Sequence, residues 1–266
     1  MKLTLSILIT TMNDWIDRVK KELLPQLQNT DEVIISHQIT NKNLFPEHQK
    51  EISKLHKNIK YIFMSESGLS KNRNNAIKNS NSDICYICDD DLNFISWFEK
   101  IIKSEYGKDN YDIITFQAEN EIWKKHFNIK EWSHNRFSIL KIWSWWITFR
   151  RKSILENNIF FDELYWLWTM YEVWEENLFL NECNRKKMKM FHSNNSIVIH
   201  PEESSWINFR DWLIIWRVKV WKKLYWFLWW LLSVLYFSII HYKMYNQNYS
   251  FKEFLILSFK GLKDDK

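Results

Sequence analysis

Glycine is nearly missing from this chain, at 3 residues among 266, and proline and cysteine number only 3 each. So few cysteines, in an odd number, exclude a disulfide scaffold and predict a reducing compartment, the cytoplasm. Cys85 and Cys88 have the spacing of a metal or redox pair. On a strand, however, residues three apart face opposite ways, so both read as small core residues. No repeats and no low-complexity linker interrupt the sequence. The net charge of +5 is too small to indicate nucleic acid by itself. Basic residues gather beside aromatic ones only in the tail, which disfavours a nucleic-acid-binding module. The run from Met1 to Thr11 carries no small-residue cleavage pattern and reads as a first strand, not a signal peptide.

Tryptophan is present in the opposite proportion, at 17 residues. Glycine and tryptophan together make up about 7.5% of the chain, near the ~7% that glycine alone usually supplies. Several tryptophans fall where glycine's freedom at positive φ would be expected: Trp166, Trp168 and Trp174 in a polar stretch, and the pairs Trp145-Trp146 and Trp229-Trp230. The inversion predicts that most of them stand where the organism inserts glycine, through a variant reading of the codon UGA. A truly tryptophan-rich protein is the alternative, and it leaves the glycine shortage unexplained.

What is abundant is apolar β-prone sequence alternating with helical periodicity. Strands are expected at Leu3–Thr10, Glu32–Ser36, Lys60–Met64, Asp83–Cys88, Tyr111–Phe116, Ile147–Phe149 and Ile197–Ile199. Helices are expected at Trp15–Leu27, Glu47–Lys57, Ser70–Asn79 with Ser70 as N-cap, Phe94–Glu105, Lys152–Asn157 and Glu175–Lys187. This order indicates an α/β chain with a mostly parallel, Rossmann-like sheet, whose ligands bind beyond the carboxyl ends of the strands. The segment from Trp123 to Trp146 has no clear period. At one such strand end stand Asp89, Asp90 and Asp91. Three adjacent carboxylates repel one another, and a divalent cation relieves that repulsion. A solvated acidic turn is the plainer reading.

The tail is different. Leu224 to Ile240 carries no charge over 17 residues and follows Arg210, Arg217, Lys219, Lys222 and Lys223. It is short for a membrane span. A basic segment beside an apolar helix fits a protein lying on an anionic membrane surface. A buried or dimerising helix is the alternative.

The run Gly68 to Asp91, GLSKNRNNAIKNSNSDICYICDDD, resembles the family 2 glycosyltransferases of GT-A fold, which carry G-x-S-x-x-R-N and then a strand ending in a DxD-type motif. The run Phe161 to Cys183 is similar to that family's acceptor-side segment, most closely when Trp166, Trp168 and Trp174 are read as glycine. The late run IHPEESSW is similar to its His followed by an S-S/T-G turn, with Trp206 in the glycine's place. The resemblance covers roughly residues 3 to 210. It implies a glycosyltransferase domain over 1–210, followed by a basic and apolar helical tail over 211–266.

The resemblance implies an inverting, metal-dependent transfer from a nucleotide-sugar, a UDP-sugar, to a glycan or lipid-linked acceptor hydroxyl. It implies Mn²⁺ or Mg²⁺ on Asp91, with Asp89 and His200 as further ligands. Donor contacts are implied at Thr11, Asn13, Gly68, Ser70, Arg73, Asn74, Asp89 and Asp90. Glu176 is implied as the base, with Glu175 orienting the acceptor. The family's usual Asp after the second strand is absent; Ser36-His37-Gln38 stand there, so His37 or Gln38 is expected to take over the contact with the nucleotide base. Surface polysaccharide assembly at the inner face of the cell membrane is the implied setting. Two other readings stay open at this point: a non-catalytic, tryptophan-rich sugar binder, and a nucleotidyltransferase on a similar sheet.

Overall fold

The apolar runs build a single sheet. A computed structural model describes residues 2–40, 45–55, 58–120, 130–164, 174–200, 211–224, 227–246 and 248–260. Its strands are β1 (Leu5–Met12), β2 (Glu32–Gln38), β3 (Ile59–Met64), β4 (Ile84–Cys88), β5 (Asn93–Phe94), β6 (Ile113–Asn120), β7 (Trp132–Ser133), β8 (Ile147–Arg150) and β9 (Met190–His200). The order is β3-β2-β1-β4-β8-β6-β9-β5, with β7 also paired to β9. β1 to β4 are mutually parallel. β8 is antiparallel to both β4 and β6, and β9 returns parallel to β6. Six strands therefore point one way, as the expected mostly parallel sheet requires.

Strands β1 and β4 lie at the centre and are covered on both faces. That is why they read as unbroken apolar runs and not as alternating ones. The three cysteines are free and buried. Burial pushes each thiol's pKa up, which suits core residues.

The helices are α1 (Ile16–Arg18), α2 (Phe45–Leu55), α3 (Leu69–Asn79), α4 (Phe98–Lys108), α5 (Arg151–Glu156), α6 (Glu175–Arg185), α7 (Asp211–Leu224), α8 (Phe227–Ile240), α9 (Tyr242–Tyr245) and α10 (Phe251–Lys260). Several depart from expectation. In place of one helix over Trp15–Leu27, the short α1 is flanked by 3₁₀ and π turns. Pro25, which has no N–H to give a regular ladder, lies in the last 3₁₀ turn. Helix α3 is preceded by Gly68 at φ 149°, so Gly68, not Ser70, is its N-cap. Helix α4 starts at Phe98, because Asn93 and Phe94 pair with β9. β9 is far longer than the expected Ile197–Ile199; polar Asn194 and Asn195 interrupt its apolar pattern, and the facing β6 shifts register between Thr115 and Ala118. The charge-free tail run is divided between the end of α7 at Leu224 and the start of α8 at Phe227.

Trp97 and Trp174 hold left-handed backbone, at φ 68° and 67°, at the N-caps of α4 and α6. Among the described residues the other non-glycine positions at positive φ are Asn13, Asn158 and Lys187, of which asparagine tolerates it best. Trp145 and Trp146, by contrast, are packed in the main core. Trp166, Trp168 and Trp206 lie outside the described residues.

A second, smaller core joins α6 to the C-terminal helices. Trp174 and Leu178 pack with Val218, Trp221, Trp230 and Val234. Among the described residues no helix is long and apolar enough to cross a membrane.

Candidate active site

Because β1, β2, β4, β6 and β9 run in one direction, their carboxyl ends gather at one edge. Asp89, Asp90 and Asp91 follow β4 there, Thr11 lies near the end of β1, and His200 closes β9. Helix α6 brings Glu175 and Glu176 to the same place. Asn177, the next residue, anchors that helix start by donating to the carbonyl of Ile139 at 2.7 Å.

Arg73 joins the two groups of acids. It is 2% exposed, donates from Nη1 to Glu175 Oε1 at 2.6 Å, and donates from Nη2 to Asp89 Oδ1 at 3.1 Å. A guanidinium suits this position because its rigid fork serves two carboxylates at once. Asp89 also accepts from Ser144 Oγ at 3.2 Å. Ser144 belongs to the segment without sequence periodicity, and only the turn Ser144–Trp146, held by Tyr86 Oη donating to the Trp145 carbonyl at 2.7 Å, delivers it.

Asp89, Glu175 and Glu176 act on the Arg73 guanidinium, while Asp90 and Asp91 feel Arg18 instead, and the electrostatics follow. Burial and the adjacent Glu175 push Glu176 well above the usual carboxylate range. Burial and the neighbouring aspartates push Asp90 up to about 6, although Thr11 Oγ1 donates to it at 2.8 Å. Asp91 is raised by burial and by Asp89, with His200 acting in the opposite sense. Its Oδ1 is buried without a hydrogen-bond partner. An orphaned carboxylate oxygen beside a histidine fits a hard cation. Among the described residues no group of three or more metal-type side chains already converges on one point.

The remaining site expectations divide. Thr11, Arg73, Asp89, Asp90, Asp91, Glu175, Glu176 and His200 come together. Asn74 turns away: its amide donates to the Phe161 carbonyl at 2.9 Å and accepts from the Phe161 N–H at 2.8 Å, so it fastens α3 to the chain ahead of α6. Ser70 is fully buried. Gly68 supplies the bend before α3, where a Cβ would meet the Lys71 side chain at 3.2 Å. Asn13 Oδ1 accepts from the Thr40 N–H at 3.0 Å. His37, fully buried, bonds Tyr61 Oη at 2.6 Å and the Asn13 carbonyl at 2.8 Å. Gln38 donates to the carbonyls of Glu66 and Gly68, each at 2.9 Å. His37 and Gln38 thus brace the loops beyond β1 and β3.

Trp145 was not anticipated from the sequence: its ring stacks on His200 with centroids 4.6 Å apart. The other part of the expected acceptor segment, residues 165–173, and the Pro201 to Trp206 turn lie outside the described residues.

No curated protein matches the chain significantly. Among solved structures it is similar to residues 1–349 of S. aureus TarS, with a TM-score of 0.61 and 14% identity over 84% of this chain. It spans 64% of that fragment. The same TarS fragment in complex with UDP-GlcNAc is similar at TM-score 0.59 and 14% identity, over 76% of this chain and 60% of that one. Its complex with UDP gives 0.61 and 13%, over 84% and 64%. These likenesses concern the fold, and they agree with a GT-A sheet. The sequence profile of Glycosyl transferase family 2 matches residues 6–175. That stretch runs from β1 to the first residue of α6 and so takes in both carboxylates bridged by Arg73: the chain belongs to glycosyl transferase family 2.

Proposed function

We propose that this chain transfers a sugar from a nucleoside-diphosphate donor, a UDP-sugar, to a hydroxyl of a glycan or lipid-linked acceptor, with inversion. The observation that carries the reading is the Arg73 bridge, which makes the β4 aspartates and the α6 glutamates one site. The donor side is the strand edge with Asp89, Asp90 and Asp91. UDP-GlcNAc and UDP are the ligands in the TarS complexes, which supports a uridine donor here.

Glu176 is the base in this reading. Inversion by single displacement needs one carboxylate on the acceptor side to take the hydroxyl proton. A carboxyl group held above its ordinary range accepts a proton more readily than a free one, provided it is ionised when the acceptor arrives. Arg73 holds Glu175 at the mouth of α6, where Glu175 orients the acceptor. Asp91, with Asp89 and His200, would hold Mn²⁺ or Mg²⁺; when bound, that cation supplies Lewis-acid neutralisation of the departing diphosphate. The orphaned Asp91 Oδ1 supports this assignment.

The acceptor side of the site adjoins α7 and α8, which fits work at the inner face of a membrane by a cytoplasmic protein. Residues 1–210 form the transferase unit in this reading, with residues 211–266 as its helical appendage. The left-handed backbone at Trp97 and Trp174 supports the further reading that these positions are glycine in the organism. UGG codons there would sink it. The functional test is Glu176→Gln, which should retain donor binding and lose transfer; the same result from Glu175→Gln instead would exchange their roles.

A further inference from the structure

Helix α8 has two apolar sides, and only one is covered. Trp230 and Val234 are buried against α6 and α7, with Phe237 packed beside them. Leu232, Tyr236, Ile239 and Ile240 fall on the opposite side, spaced as one helical stripe, and all are exposed, Tyr236 to 66%. A helix without a single charge over 14 residues ordinarily has both sides buried. On α10, Ile256 and Phe259 are exposed as well.

The charge is equally lopsided. Residues 211–260 carry seven Lys and Arg against two acids, a net +5 that equals the charge of the whole chain. The rest of the protein is therefore neutral overall. Lys243, just after α8, and Lys252 and Lys260 on α10 are exposed.

We infer that this uncovered stripe docks on an anionic lipid bilayer, with α8 lying in the plane of the surface. An apolar face with Lys243 at its end, on a basic helical tail, gains both from burial among acyl chains and from attraction to negative headgroups. A second copy would bring the same positive charge against itself, which disfavours pairing through this face. The opposite side of α8 packs on Trp174 and Leu178, and Trp174 immediately precedes Glu175. Docking would therefore hold the α6 carboxyls one helix diameter, ~10 Å, behind the lipid surface. That consequence rests on the function proposed above; the docking itself is measured without it.

The test is flotation of the full chain with vesicles of phosphatidylcholine alone and of phosphatidylcholine with phosphatidylglycerol. Binding is expected to the anionic vesicles only, and to weaken at high salt. The variant Leu232→Ser/Tyr236→Ser/Ile239→Ser should bind them at least roughly tenfold less, while keeping its far-UV spectrum and hydrolysing donor in solution as before. The charge variant Lys252→Glu/Lys260→Glu, which leaves the apolar stripe alone, should also bind less. Equal binding to both vesicle types, or undiminished binding by either variant, overturns the proposal. So does a wild-type dimer that the serine variant dissolves. Loss of donor hydrolysis by Glu176→Gln with flotation intact bears on the chemistry alone.

Discussion

Replacing Trp97 by glycine and, separately, by alanine measures what its left-handed backbone costs. Both changes remove the indole, so the difference between them leaves only the backbone. The indole is 69% exposed, and little burial is lost with it. Among the described residues its ring meets Lys100 Nζ, 3.9 Å from the ring centre, and an exposed cation–π pair contributes about 0.5–1 kcal/mol. Left-handed backbone costs a residue with a Cβ about 1–2 kcal/mol. Glycine avoids that cost but loses about 0.4–1 kcal/mol through the greater freedom of its unfolded chain.

Trp97→Ala should therefore be less stable than the parent by about the cation–π energy, since its strain is unchanged. Trp97→Gly should lie about 0.5–1 kcal/mol above the alanine variant, close to the parent or better. At this chain length that is a difference in Tm of about 1–4 °C. Urea unfolding and thermal melts read it directly. If alanine equals or exceeds glycine, position 97 does not demand glycine's conformational freedom, and the structural support for glycine at the tryptophan positions falls. Trp174 shares the geometry, but its indole is buried against Trp221, so truncation there mixes strain relief with a cavity.

Arg73→Met should destabilise the protein by about 3–5 kcal/mol in urea, because it strands Glu175 and Asp89 without their shared cation. In the proposed mechanism, transfer rises with pH as Glu176 ionises, above the range of a free glutamate. Glu175→Gln should move this limb to lower pH, since it removes the carboxylate that raises Glu176; an unmoved limb refutes the assignment. Asp91→Asn should weaken Mn²⁺ binding, followed by calorimetry, at least roughly tenfold. His192 is fully buried with its folded pKa lowered by burial to about 4, against an ordinary 6.5. Its contribution to stability is complete above pH 6.5 and is lost as pH falls from 6.5 toward 4. His192→Gln should therefore flatten the stability–pH slope in that window by about 1.4 kcal/mol per pH unit; an unchanged slope refutes the neutral histidine.

How much of this could be read in the sequence followed from where the information lies. The buried parallel strands were legible because burial on both faces leaves a continuous apolar run, as in β1 and β4. The acidic clusters were legible because adjacent like charges at element ends are visible in one dimension. β9 was mostly missed, because its middle is polar and its pairing shifts register opposite Gln117. Ser144 was invisible, since nothing local to residues 138–146 says that Tyr86 will hold that turn against Asp89. His37 misled for a related reason. It stands at the strand end where a ligand contact is expected, but Tyr61 on β3 and the Asn13 carbonyl take both of its ring nitrogens.

Arg73 shows most clearly what one dimension withholds. The sequence places it near the donor side, four residues into a helix, and gives no reason to connect it with Glu175, 102 positions away. In three dimensions its guanidinium can reach Glu175 at 2.6 Å and Asp89 at 3.1 Å only if the end of β4, the second turn of α3 and the start of α6 are in place together. A charge this deeply buried is tolerated only when both carboxylates are present, so docking α6 and completing the site are one event. Arg73→Lys keeps the charge but offers one compact ammonium in place of a fork, and it cannot hold both carboxylates at those distances. Its loss should fall on transfer as well as on stability. A lysine variant with full activity and reduced stability would mean that the bridge holds the fold together without setting the geometry of the reaction.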